Sequence, residues 1–195
     1  IKNNSRTGKI DIYFSRANIL HKEKNYKEAA KYLQLANQLK LDFNPSKIDK
    51  IFNKSQKLII ESNKTDIIIQ EKENYPESIF IVGMPRSGST LIESILSMNN
   101  KVDDLGEINI LEESFLEAKT HEKASSPVDL YFNKISQLKN RLGITTNKWL
   151  YNYQYTGIIA KQIPNAKILH CFRNPLDNIL SIYRANLIKG NEYSC

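Results

Sequence analysis

Residues 78–96 read Ser-Ile-Phe-Ile-Val-Gly-Met-Pro-Arg-Ser-Gly-Ser-Thr-Leu-Ile-Glu-Ser-Ile-Leu. Ile79 to Val82 is an apolar, β-branched and aromatic run with the length of a buried strand. Gly83, Pro85 and Gly88 then break the regular pattern. From Leu91 the apolar residues recur at Leu91, Ile92, Ile95 and Leu96, which is helical spacing. The stretch therefore predicts a strand, a tight loop and a helix. The loop sets small residues, hydroxyls and the Arg86 guanidinium at a helix N-terminus. Unpaired backbone N–H groups and the helix dipole make such a place an anion site. Arg86 adds a planar fork that suits phosphate or sulfate oxygens.

A Walker A loop, which holds a triphosphate, is a poor match to this stretch. That loop needs Lys directly after its last glycine, and Ser89 follows Gly88 here. A P-loop kinase or other nucleotide enzyme is the competing class, and the missing Lys counts against it.

Working outward toward the C-terminus, a short strand is expected near Val102, and the turn Leu105-Gly106 then presents Glu107. Residues 108–120 read as a helix with Ile110, Leu111 and Phe115 on its apolar side; Glu112, Glu113 and Glu117 form a solvated face. After a polar connection at 121–126, Pro127 opens a helix with Leu130, Tyr131, Ile135 and Leu138 inward. Ile144 to Asn152 reads as a strand and loop carrying Lys148, and Tyr155 to Ile163 as a helix. Ile168 to Arg173 reads as a buried strand ending in Arg173, and Asn174-Pro175 opens a last helix through Leu187. Strands alternating with helices over short connections imply a parallel sheet flanked by helices, an α/β fold. Ligands of such sheets bind at the carboxyl ends of the strands. Arg86, Glu107, Lys148 and Arg173 each follow an expected strand, so one crevice can collect all four.

Toward the N-terminus, residues 10–41 carry two helical runs, with Asn25 as the cap between them. Asn25 to Ala30 resembles the turn and second helix of a tetratricopeptide repeat. One repeat leaves an apolar face to be covered by a neighbour, so this segment serves packing or a protein partner. A third helix is expected from Pro45 to Glu61. The domain reading is an all-α tetratricopeptide-like segment at 1–62, a linker at 63–76, and the α/β domain at 77–195.

The chain has 195 residues, 41% of them hydrophobic and 25% charged, which suits a globular protein. Its charge of +7 is lodged mainly before residue 77, as lysines on helix faces, and no nucleic-acid motif accompanies it. No apolar run reaches the roughly 18 residues of a membrane span. Cys171 and Cys195 lack metal-ligand spacing, and Cys171 reads as a reduced core residue, in keeping with a cytoplasmic setting. A chain that starts at Ile1 and stops just past a helix reads as a piece of a longer protein, cut at both ends.

Four elements resemble the sulfotransferases that use 3′-phosphoadenylyl sulfate (PAPS). Gly83 to Leu91 resembles their 5′-phosphosulfate loop, and Leu105-Gly106-Glu107 the Gly-Glu element after it. Asn147-Lys148 resembles their Asp-Lys element. Arg173 to Asp177, with Ser181 eight positions after the Arg, resembles their 3′-phosphate element. Asn147 and Asn174 stand where Asp is commoner, and Ser89 where Thr is. Bacterial members place tetratricopeptide repeats before this domain, and the spacing of Arg86 to Glu107 is that of the tyrosylprotein sulfotransferases. The resemblance implies PAPS as co-substrate, held by Arg86, Ser87, Gly88, Ser89, Thr90, Arg173 and Ser181, and no metal. It implies Glu107 as the base that takes the acceptor proton, and Arg86 and Lys148 as stabilisers of the transferring group. Its acceptor bears a hydroxyl: protein tyrosine, glycan or small molecule. His121 and His170 read as structural. A non-catalytic interaction protein built on the N-terminal helices is the remaining competitor.

Overall fold

The computed structural model describes residues 2–67, 75–120, 126–138 and 143–187. His121 and Cys195 lie outside the described residues. The chain falls into two compact units, one of residues 1–52 with 173–195 and one of residues 53–172.

In the first unit, helices α1 (Lys2–Lys22) and α2 (Tyr26–Phe43) form a hairpin. Lys24 turns the chain at φ 61°, and the Asn25 side chain accepts from the Glu28 N–H at 3.4 Å, the expected cap. Ile10, Phe14 and Ala17 of α1 pack on Leu33 and Ala36 of α2, and the small alanines allow the close approach. Tyr13 meets Tyr32 edge to face at 5.8 Å. The C-terminal part of this unit holds α8 (Pro175–Tyr183) and the segment after it. Asn37 donates to the Tyr183 carbonyl at 3.0 Å and Lys40 to the Leu187 carbonyl at 2.7 Å.

Among the described residues of the second unit, four strands form one sheet in the order β2, β3, β1, β4, with every pair parallel. The strands are β1 (Ser78–Gly83), β2 (Val102–Asp104), β3 (Ile144–Asn147) and β4 (Ala166–Cys171). Helix α4 (Ser89–Leu96) follows β1; α5 (Ile110–Thr120) and α6 (Pro127–Leu138) connect β2 to β3. A 3-10 helix at Leu150–Tyr155 and α7 (Thr156–Gln162) connect β3 to β4. Phe80 of β1 is fully buried with Phe115, Tyr131, Ile135, Tyr155 and Ile159, drawn from α5, α6 and the β3–β4 connection. Each such side chain contributes about 1.5–3 kcal/mol on burial.

Helix α3 (Ile48–Lys64) starts three residues later than Pro45, where the sequence suggests it. From residue 53 onward it packs on the sheet unit through Leu58 and Ser62, while Ile48, Phe52 and Ile59 are exposed. At Gly157 a Cβ would come within 2.1 Å of the Ser62 hydroxyl, so α7 needs glycine there to approach α3. Lys161 ties the two helices by donating to the carbonyls of Ser62 (2.7 Å) and Thr65 (3.1 Å), which closes the end of α3.

Three expectations need correction. The run from Ile168 to Arg173 is not a buried strand: β4 is an edge of the described sheet, with Leu169, His170 and Phe172 exposed and Cys171 half-buried. An apolar edge strand has a neighbour on one side only, which composition does not reveal. Leu138 is exposed, and Val128 and Phe132 join Tyr131 and Ile135 on the inward side of α6. The helix expected from Tyr155 is preceded by a 3-10 turn that starts at Leu150.

Candidate active site

The loop between β1 and α4 has a backbone that few residues tolerate. Gly83 sits at φ +146°, and a Cβ on it would lie 2.4 Å from the Cys171 carbonyl oxygen of β4. The loop can therefore leave the sheet here only as glycine. Arg86 adopts φ 68°, a left-handed conformation that costs a side-chain-bearing residue about 1–2 kcal/mol. Gly88, at φ +100°, is the N-cap of α4 and offers no side-chain oxygen to the first turn. The N–H groups of that turn are thus left for a ligand. The Ser87 hydroxyl oxygen is buried and finds no hydrogen-bond partner among the described residues. A buried orphan acceptor and donor in a loop of this shape fits an oxyanion.

Glu107 and Lys148 meet because the β2–β3 pairing continues beyond the strands. The Leu105 N–H donates to the Thr146 carbonyl (3.0 Å), and the Lys148 N–H donates to the Gly106 carbonyl (2.9 Å). Gly106, at φ +66°, supplies the turn that brings the next side chain back. Lys148 Nζ then lies 2.5 Å from Glu107 Oε1. The lysine is 4% exposed, whereas the glutamate side chain is 61% exposed. Asn147, fully buried, fixes this corner. Its carbonyl oxygen accepts from the Trp149 N–H (3.0 Å) and the Asn152 amide (2.9 Å), and its own amide reaches the Ile108 carbonyl (3.4 Å). Here Asn serves better than Asp: the amide donates to a carbonyl that a carboxylate would repel.

A residue the sequence reading overlooked completes the cluster. Glu93 of α4 is 5% exposed. Its Oε2 lies 3.6 Å from Lys148 Nζ, and its Oε1 accepts from the Thr146 hydroxyl at 3.4 Å. Burial pushes its carboxyl up to about 7, a hydrogen bond and negative charge from Asp104 add to the rise, and Lys148 pulls the other way. Helix α4 carried no sequence signal for this. Its buried positions are Ser89 and Glu93, four residues apart, while Leu91 and Ile95 are more than half exposed.

Arg86, Glu107 and Lys148 thus follow the carboxyl ends of β1, β2 and β3. Arg173 follows β4 and belongs with Ser181 to the helical unit, where Asn174 caps α8 by accepting from the N–H groups of Leu176 (3.0 Å) and Asp177 (3.4 Å). Thr90 is exposed at the start of α4, and Ser89 is buried. His170 is exposed on β4 rather than pointing into a core.

The family model of the sulfotransferase domain matches residues 76–193. The chain belongs to the sulfotransferase family. The sulfotransferase domain thus includes β1, the anion loop, Glu93, the Glu107–Lys148 pair and α8. Over 194 residues the chain is 29% identical to an uncharacterized protein of Aquifex aeolicus (strain VF5). That alignment covers 86% of this chain and 25% of the relative, so the chain spans about a quarter of the relative's length. No solved structure matches. Membership points to sulfuryl transfer as the general chemistry of the sulfotransferase domain. No described helix is long and apolar enough to cross a membrane.

Proposed function

We propose that this sulfotransferase domain moves a sulfuryl group from PAPS to an acceptor hydroxyl. The observation that carries the reading is the Glu107–Lys148 pair at 2.5 Å, in the same sheet unit as an anion loop with a buried orphan hydroxyl. Arg86 and the N–H groups of Ser87, Gly88, Ser89 and Thr90 hold the 5′-phosphosulfate, and Ser87 contributes its hydroxyl. The acceptor oxygen attacks sulfur in line. A new O–S bond forms, the bond from sulfur to the bridging oxygen breaks, and adenosine 3′,5′-bisphosphate leaves. Glu107 takes the proton of the acceptor hydroxyl, and Lys148 meets the negative charge that grows on the bridging oxygen. For both to act, their ion pair must open when donor and acceptor enter. Catalysis of this kind is positioning plus charge stabilisation, as in phosphoryl transfer. Arg173 and Ser181 bind the 3′-phosphate, which separates PAPS from ATP.

The wider setting belongs to the same proposal. Residues 1–62 act as a tetratricopeptide-like segment for packing or a protein partner, 63–76 as a linker, and 77–195 as the catalytic domain. The enzyme is cytoplasmic, related to the tyrosylprotein sulfotransferases and to bacterial members that carry repeats. Its acceptor is a protein tyrosine, a glycan or a small alcohol or phenol. Calorimetry with adenosine 3′,5′-bisphosphate against ADP tests the donor. Tighter binding of the bisphosphate by about tenfold or more is expected, because its second phosphate sits at the 3′ position, where Arg173 and Ser181 take it in a charge-assisted contact that ADP lacks. Equal affinity for the two nucleotides, or binding of neither, overturns the reading.

A further inference from the structure

The Lys148 ammonium has more than one carboxyl competing for it. Glu107 holds it at 2.5 Å from an exposed turn, and Glu93 stands 3.6 Å away on the buried side of α4. The two differ in what they can do next. Glu107 can swing toward solvent and an acceptor, because most of its side chain is already exposed. Glu93 cannot: it is enclosed, with Thr146 of β3 donating to one of its oxygens. A buried ammonium stripped of its only anion is strongly destabilised. Lys148 can release Glu107 only because Glu93 remains beside it.

Asp104 of β2 faces Glu93. Its Oδ1 accepts the Gly106 N–H at 2.6 Å. Burial, a hydrogen bond with Asp104 and the Asp104 charge all favour a proton on Glu93. With that proton in place, Glu93 is neutral and the ammonium rests on Glu107. Without it, Glu93 draws the ammonium inward and Glu107 is left free. Asp104, Lys148 and, through Lys148, Glu107 are the charged groups that face Glu93 in this cluster.

We propose that Glu93 is a positioning residue that competes with Glu107 for the Lys148 ammonium and so releases Glu107 to accept a proton. What Glu107 then does rests on the sulfuryl-transfer reading, but the competition itself is a property of the unliganded protein. Its failure is therefore distinguishable from failure of the donor assignment.

The test is a carboxyl NMR titration of the 195-residue chain labelled with 13C at glutamate side-chain carboxyls. The Glu93 signal is assigned as the one lost in Glu93→Gln. In the wild type it is expected to titrate near neutral pH. In Glu107→Gln the ammonium has one glutamate carboxylate left to serve, so the Glu93 midpoint should fall by about half a unit or more. Glu107 is exposed, so this variant keeps the fold whatever Lys148→Met does. In Lys148→Met, the midpoint should rise. A Glu93 signal that is already ionised from pH 5 upward overturns the proposal. So does a midpoint that Glu107→Gln leaves unmoved, which is the result expected if Glu93 only fills space.

Discussion

The Lys148 ammonium, 4% exposed, is paired with a Glu107 carboxylate whose side chain is mostly in solvent. One partner is held and the other is free to leave, which is the asymmetry a base and its charge-stabilising neighbour need. Glu107→Gln in the complete protein should therefore lower kcat by about 10²–10⁴-fold, the range for lost general-base catalysis. The donor KM should change far less. Steady-state kinetics near neutral pH checks this, and a variant with wild-type turnover removes Glu107 from the base role.

Lys148 also answers for stability. Lys148→Met leaves Glu93 buried beside Asp104 without the cation, so Glu93 keeps its proton to higher pH and the cost of the lost pair appears above about pH 7. Adding Glu93→Gln removes the group that must stay protonated, so the double variant should recover much of the loss measured there. Urea unfolding of the wild type and the three variants reads the coupling directly. Simple additivity would mean that the two side chains do not interact.

The raised Glu93 carboxyl sets a pH dependence whose sign is definite. Its value in the folded protein is about 7, against 4.5 when exposed in the unfolded chain. Between these values the folded form keeps a proton that the unfolded form has lost. The stabilisation is fully present below about 4.5 and is lost as the pH rises through about 7, by about 3 kcal/mol in all. Denaturant unfolding across this window should show the decline, and Glu93→Gln should flatten it. An equal slope in the variant would assign the decline to other groups.

Gly83→Ala tests the loop. The added methyl meets the Cys171 carbonyl at 2.4 Å, on a backbone at φ +146°. We expect a loss of about 2–3 kcal/mol in thermal or denaturant unfolding, from the forced positive φ together with the clash against β4. A variant of wild-type stability would show that the loop leaves the sheet by another path.

Much of the candidate site's local geometry was legible because it depends on short-range chemistry. Gly83 and Gly88 are required by local backbone angles, and Asn25 and Asn174 by the N–H groups just after them. The positions of Arg86, Glu107 and Lys148 after strands were readable from alternating strand and helix patterns. Glu93 was not. Its partners Asp104 and Lys148 are 11 and 55 positions away and reach it only after β2 and β3 align in parallel.

Sequence alone determined that residues 78–96 fold as strand, loop and helix, because glycine conformational freedom and apolar periodicity act between near neighbours. The tertiary structure decided which side of α4 is buried, that β4 is an edge among the described strands, and which carboxyls share Lys148. Those outcomes depend on what distant segments bring to each face. A charge is buried only where another part of the chain arrives to compensate it.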